Sequence, residues 1–235
     1  MVKKLYIEHL GISVTLTRRV GTRSIRISLR NDGTIKISVP YGVSDRSAEK
    51  FLISKAEWIK EHAKVRPNLV DGQHIGKSHR LVLLRSDVEA IKTRVGKNEV
   101  TVTLPLDISA DSDEAQHKIQ STAERALKKE AESLLPQRLE FLANKYDIEY
   151  GQVSVKKLKS RWGSCDSRKN IVLNIYLMQL DWSLIDYVIV HELAHTHHQH
   201  HQKPFWDFLE TMLPDYKQRK KLIKDKPTNI VGTNY

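Results

Sequence analysis

Apolar residues alternate with polar ones three times in the first forty positions: Ile12, Val14 and Leu16; Ile25, Ile27 and Leu29; Ile35, Ile37 and Val39. A period of two turns one side of each segment toward a core and predicts strands. Asn31-Asp32-Gly33 separates the last two runs and predicts a hairpin. After Ser44, a suitable N-cap, the spacing becomes helical and puts Phe51, Leu52, Ala56 and Ile59 on the inner face of a helix reaching about His62. Trp58 is expected in that core, while His74 and His79, beside turns, are expected in solvent. Further strands are predicted over 80–85, 91–95 and 100–104, with turns at Asp71-Gly72 and Gly96-Lys97-Asn98.

Residues 104–111 read as a linker, and the pattern beyond is mostly helical. Asp111 or Ser112 caps an amphipathic helix running to about Leu135, and Pro136 is expected to break it before a second piece ends near Lys145. A strand over 153–158, a loop over 160–170 and a strand over 171–177 follow. Asp181 or Ser183 then opens a helix that is apolar on almost every side through Val190. Pro204 suits the first turn of the next helix, which carries Phe205, Phe208, Leu209 and Met212. Pro214 and Asp215 open a last, basic helix with Lys217, Arg219, Lys220 and Lys221, and residues from about Lys226 are expected to fray. The fold class is α+β: a β-rich N-terminal subdomain over 1–108, then a second domain over 109–235.

The buried helix runs into His191-Glu192-Leu193-Ala194-His195, a match to H-E-x-x-H. Residues four apart share one helical face, so both imidazoles face a single point, and Glu192 lies close enough to hold a metal-bound water without being a ligand. That pattern is the signature of a zinc hydrolase. His198 lies on the same face, but seven residues of helix separate it from His191 by roughly 10 Å, so three histidines of one straight helix cannot converge. The third ligand must come from beyond the helix end. His200 and His201 are the nearest candidates and Glu210 is further off; spacing leaves the choice open.

Composition narrows the setting. No apolar run among the 235 residues reaches the ~18 of a membrane helix, and the basic start breaks its apolar run too early for a signal peptide. A single cysteine excludes an internal disulfide framework, and a cytoplasmic location is the expectation. The net charge of +11 attracts nucleic acid or other polyanions, which makes DNA on the basic surface a candidate partner. No zinc finger, RNA-recognition signature or helix-turn-helix pattern accompanies that charge. Nothing in the sequence specifies an oligomeric state.

Several segments together carry a resemblance. Lys159-Ser160-Arg161-Trp162-Gly163-Ser164-Cys165, then Asn174 on an apolar strand, Asp186-Tyr187-Val188 leading into the histidine motif, and His201-x-x-x-Phe205-Trp206 resemble the YgjP-like metallopeptidase domain, a family related to the SprT-like zincins. Arg26-Ile27-Ser28-Leu29, Val39-Pro40 and Lys55-x-x-Trp58-Ile59 extend the resemblance into the N-terminal half. It implies a small zincin-type metallopeptidase domain, one zinc ion, and His201 as third ligand in the pattern HExxH-x5-H. It also implies that the strand before the metal helix, 171–177, lines the cleft and pairs with a peptide or protein substrate.

In such a site Glu192 takes the proton of a zinc-activated water as it attacks the carbonyl, then passes it to the leaving amine. Arg161 and Tyr216 are the candidates for binding substrate or the developing oxyanion. Cys165 is a candidate for approaching the zinc, against its ordinary reading as a small buried residue. The resemblance carries two further activities: pyrophosphohydrolysis of a nucleoside triphosphate at the same metal, and proteolysis of DNA-associated proteins. No P-loop accompanies the former. A structural zinc in a basic binding module is disfavoured, because structural sites fill four positions and prefer Cys.

Overall fold

The computed structural model describes residues 2–7, 12–18, 20–29, 35–62, 68–224, 226 and 228. They fall into two compact units, Met1–Pro67 and Asn68–Tyr235. The first holds four strands, β1 (Val2–Ile7), β2 (Ile12–Arg18), β3 (Arg26–Leu29) and β4 (Ile35–Val39), in the order β1-β2-β4-β3. β2 and β4 run parallel and the other pairs antiparallel. Two helices follow, α1 (Asp45–Ser54) and α2 (Ala56–His62), where one was expected, with the break at Lys55. Ser44 caps α1, accepting from the Ser47 amide at 3.2 Å.

The inward residues of β2 and β4, Val14, Leu16, Ile35, Ile37 and Val39, pack with Ala48, Leu52 and Ile59. Ile59 takes the inner position of α2, and Trp58, expected in the core, is 42% exposed one residue away. The hairpin expected at Asn31-Asp32-Gly33 lies outside the described residues, as does most of the tail beyond Lys224.

The second unit is built along α3 (Asp113–Tyr146), a single helix of 34 residues. Pro136 was expected to break it. The helix continues because Ala131, Leu135, Leu139 and Leu142 form one buried stripe across the proline, while Glu132, whose carbonyl loses its helical donor, faces solvent. One sheet, β5 (Arg80–Arg85), β6 (Lys92–Val95) and β7 (Glu99–Leu104), has the order β5-β7-β6. Its core residues Leu81, Val100, Val102 and Leu104 merge with Ala115, Ile119, Ala123 and Leu127 of α3. Residues 68–108 therefore belong with the second unit, and the division falls at Pro67 rather than at the expected 108.

Polar contacts make the same connection. The α3 carboxylate of Glu130 is buried and accepts from the backbone amides of Lys77 (2.6 Å), Ser78 (2.8 Å) and His79 (3.0 Å), and from His79 Nδ1 at 2.6 Å. His79, expected in solvent, is 2% exposed. A side chain at Gly76 would overlap the same carboxylate, so the loop closes on Glu130 only because that position carries none. His74 is exposed, as expected of a turn residue.

The second sheet of this unit comprises β8 (Val153–Lys156), β9 (Gly163–Cys165) and β10 (Ile171–Asn174) in the order β8-β10-β9. The strand expected over 171–177 stops at Asn174, whose Oδ1 accepts from the Tyr176 amide at 3.3 Å and turns the chain into a 3-10 segment, Ile175–Gln179. Three helices complete the unit: α4 (Trp182–Ala194), α5 (Lys203–Met212) and α6 (Tyr216–Lys224). A two-pronged pair, Arg138 to both oxygens of Asp186 at 2.7 Å, clamps α4 to α3. Among the described residues, no helix is long and apolar enough to cross a membrane.

Candidate metal centre

α4 is buried along nearly its whole length, and its last turn brings His191 and His195 to one face. The chain then reverses. Thr196 Oγ1 donates to the Leu193 carbonyl at 2.8 Å, and Gln199 Nε2 donates to the His195 carbonyl at 2.7 Å. This short loop returns His201 to the other two histidines, and one ligand atom from each of the three lies within 4.8 Å of the others. His191 Nε2 and His201 Nε2 are 2.9 Å apart. Trp206 Nε1 donates to the His201 carbonyl at 3.1 Å and pins the third residue.

The remaining histidines of the run point elsewhere. His197 and His198 pack against Phe208, with ring centres 5.1 and 5.5 Å away. His200 is exposed and outside the cluster. Glu210 pairs with Lys217 at 3.0 Å.

Phe205 forms the floor. Its ring is fully buried and its centre lies 4.9, 4.6 and 4.8 Å from the centres of His191, His195 and His201. Pro204 in the first turn of α5 sets the direction from which Phe205 enters.

The cluster is suited to a cation. Burial, then the neighbouring His195, His201 and Lys220, pushes His191 down to about 3. Burial also lowers His195, opposed by its bond to the His198 carbonyl, and His201 is lowered by burial and by Lys220. All three are therefore neutral near pH 7 and carry lone pairs. His195 Nδ1 donates to the His198 carbonyl at 3.0 Å, which leaves Nε2 as its free donor atom. His191 Nδ1 is buried without a hydrogen-bond partner among the described residues. Three neutral nitrogens, with no fourth protein ligand among the described residues, fit zinc in an open site.

Glu192 lies beside this cluster, 6% exposed. Burial pushes its carboxyl up to about 8, against the opposing charge of Arg161. Its carboxylate presses on β9: a Cβ built on Gly163 would sit 2.7 Å from Glu192 Oε1. The loop leading into β9 is held by Asn174, fully buried, whose Nδ2 donates to the carbonyls of Leu158 (3.0 Å) and Arg161 (2.8 Å). Asn174 also donates its amide to the Trp162 carbonyl at 2.9 Å.

These bonds position Arg161, exposed, close enough to act on Glu192. Tyr216 is buried and stacks on Trp206, 5.6 Å between centres and 14° between planes. Cys165 belongs to β9, and burial, then Glu192, pushes its thiol up to about 11.

The model of the YgjP-like metallopeptidase domain matches residues 23–226. The chain belongs to that family. It is thus a metallopeptidase by family, with a metal ion implied and peptides or proteins as its substrate class. Solved structures similar to this YgjP-like chain include two metallopeptidase zymogens. The jannalysin zymogen of Methanocaldococcus jannaschii is 22% identical, covers 38% of this chain and 92% of its own, and has a TM-score of 0.34. The abylysin zymogen of Pyrococcus abyssi is 21% identical, covers 42% of this chain and 100% of its own, and has a TM-score of 0.37. No curated relative matches.

Two residues that the resemblance includes gain a place at the site that hydrophobic patterning alone does not give them. By that patterning Phe205 looks like one more core residue of an amphipathic helix, and Tyr187 only like part of an apolar run. Tyr187 precedes His191 by one turn, and its ring centre lies 5.9 Å from that of His191. Burial, then Glu192 and Tyr216, holds its hydroxyl at about 12, so the phenol stays protonated. The i, i+4 relation to His191 was the available signal.

Proposed function

We propose that the second unit is a zinc metallopeptidase in which His191, His195 and His201 hold one zinc ion and Glu192 is the general base. The observation that carries this reading is the convergence of three neutral imidazoles over Phe205, with a buried carboxylate alongside and outside the ligand set. A bound zinc supplies Lewis acidity toward the scissile carbonyl and acidifies water. Glu192 takes the proton from the attacking water and returns it to the leaving amine. Arg161 and Tyr216 stand as the groups that meet the substrate near the developing charge.

The strand assignment expected for the substrate changes. β10 is paired on both sides, by β8 and by β9, and has no edge to offer. β9 is the edge strand nearest Glu192, so an extended peptide would add along Gly163–Cys165. Glu192→Gln tests the mechanism: the variant should keep its fold and about one zinc while peptide cleavage falls ~10²-fold or more. Undiminished cleavage would remove Glu192 from the mechanism.

A second reading concerns nucleic acid and the first unit. Residues 1–67 hold 14 Lys and Arg against 6 Asp and Glu, a net +8 of the chain's +11. The α6 cations are partly spent, Lys217 on Glu210 and Arg219 on Asp215. A polyanion such as DNA would therefore meet the first unit, which suits cleavage of proteins gathered on DNA.

A further inference from the structure

Trp206 links the metal centre to α6. One of its neighbours is His201, stacked at 5.5 Å and 26°. Another is Lys220, whose Nζ lies 3.8 Å from the Trp206 ring centre. Cation–π attraction accounts for the position of the Lys220 stem but does not neutralise its charge. The acids nearby are committed to other cations: Asp207 to Lys203 at 2.6 Å, Glu210 to Lys217 at 3.0 Å and Asp215 to Arg219 at 2.9 Å. Among the described residues, no carboxylate pairs with Lys220. Its charge stands close to the cluster, because Lys220 and His201 both lie against the Trp206 ring.

Such a placement is unfavourable by itself, because an ammonium beside a cation-binding cluster is repelled by whatever cation enters. It becomes favourable when an anion lies between them. Arg161, just before β9, is a second exposed cation whose charge reaches Glu192 but which forms no ion pair among the described residues, so the site has cations on two sides.

We propose that Lys220, held over Trp206, is a specificity-determining residue that binds a carboxylate of the peptide substrate. The 3.8 and 5.5 Å separations place its ammonium within about 9 Å of the His201 ring, which is at most two to three residues of extended chain. The preferred substrate thus carries a carboxylate within that distance of the scissile bond, supplied by an Asp or Glu side chain or by a free C-terminus. This rests on the peptidase reading, and its test includes binding so that the two can fail separately.

The zinc-loaded full chain, as Glu192→Gln, is titrated with four peptides of one length: neutral with an amidated end, neutral with a free end, and each again with one Glu. Binding is followed by tryptophan fluorescence, and turnover of the same peptides is measured with an intact Glu192. Carboxylate-bearing peptides should bind about ten-fold more tightly than the neutral amide and show a similar ratio in kcat/KM. In Lys220→Met, which keeps an unbranched stem over Trp206, that ratio should fall toward one, and in Lys220→Glu it should favour a Lys-bearing peptide.

Dependence on the free end assigns the terminal carboxylate, and dependence on Glu assigns a side chain. An unchanged ratio in Lys220→Met overturns the proposal. So does a nucleoside triphosphate that outbinds every peptide and loses that advantage in Lys220→Met, because the anion is then a phosphate. Carboxylate-selective binding without cleavage of any peptide would support the Lys220 assignment while removing the peptidase reading.

Discussion

Replacing Gly163 by Ala tests how tightly Glu192, the proposed general base, is held. The new Cβ would stand 2.7 Å from Glu192 Oε1, 2.8 Å from Cγ and 3.0 Å from Cδ. Comfortable contact begins near 3.5 Å, so something must move by about half an ångström or more. Gly163 lies in a paired strand, held to β10 opposite Leu173, whereas the Glu192 side chain can rotate, so the carboxylate takes most of the displacement. A misplacement of 1 Å can cost ~10²-fold in rate, and half of that corresponds to about ten-fold, or ~1.4 kcal/mol of barrier. The assay is steady-state cleavage of a quenched fluorescent peptide, with zinc content and thermal midpoint measured on the same preparation. The expected result is a kcat about ten-fold lower with zinc retained. A kcat within two-fold of the parent, or a loss that follows zinc release, would refute it.

Further tests address separate parts of the molecule. In protein stripped of metal by a chelator, the folded Glu192 carboxyl titrates near 8 instead of 4.5, so the folded state holds an extra proton between those values and loses stability as pH rises through them. Glu192→Gln should therefore gain on the parent from pH 5 to pH 9, by about 4 kcal/mol in urea unfolding, and parallel pH profiles would contradict the burial argument. His201→Ala should lower zinc occupancy and turnover while His200→Ala leaves zinc occupancy nearly unchanged; the reverse in metal analysis would shift the ligand set. Glu130→Ala strands three backbone amides and the buried His79 ring and should destabilise the second unit by about 3–5 kcal/mol, whereas a loss below ~1 kcal/mol would mean that solvent replaces the carboxylate. The full chain should bind DNA with an affinity that falls steeply between ~50 and ~200 mM salt, and absence of any shift in a low-salt gel would end the nucleic-acid reading without touching the peptidase.

By itself the sequence determined whatever depends on near neighbours along the chain. Helical period brings His191 and His195 to one face, and strand alternation separates Val14, Leu16, Ile35 and Ile37 from the polar residues between them. Ser44 and Ser112 both cap helices as their side chains allow. Local patterns also supplied errors of a consistent kind. Pro136 signals a break, yet a buried stripe outweighs the one hydrogen bond it removes. His79 looks like a turn residue, yet Glu130, 51 positions later, draws it into the core.

Helical spacing left the third imidazole open and the family resemblance pointed to His201; the tertiary structure brings it to the other two through the turn after Ala194 and the Trp206 bond to the His201 carbonyl. Tertiary structure alone decided that β9 and not β10 forms the edge beside Glu192, and that residues 68–108 share a core with α3. The physical reason is common to all three. Helical facing and strand alternation follow from backbone geometry within a few residues, whereas edges, floors and ligand sets depend on which distant surfaces exclude water together.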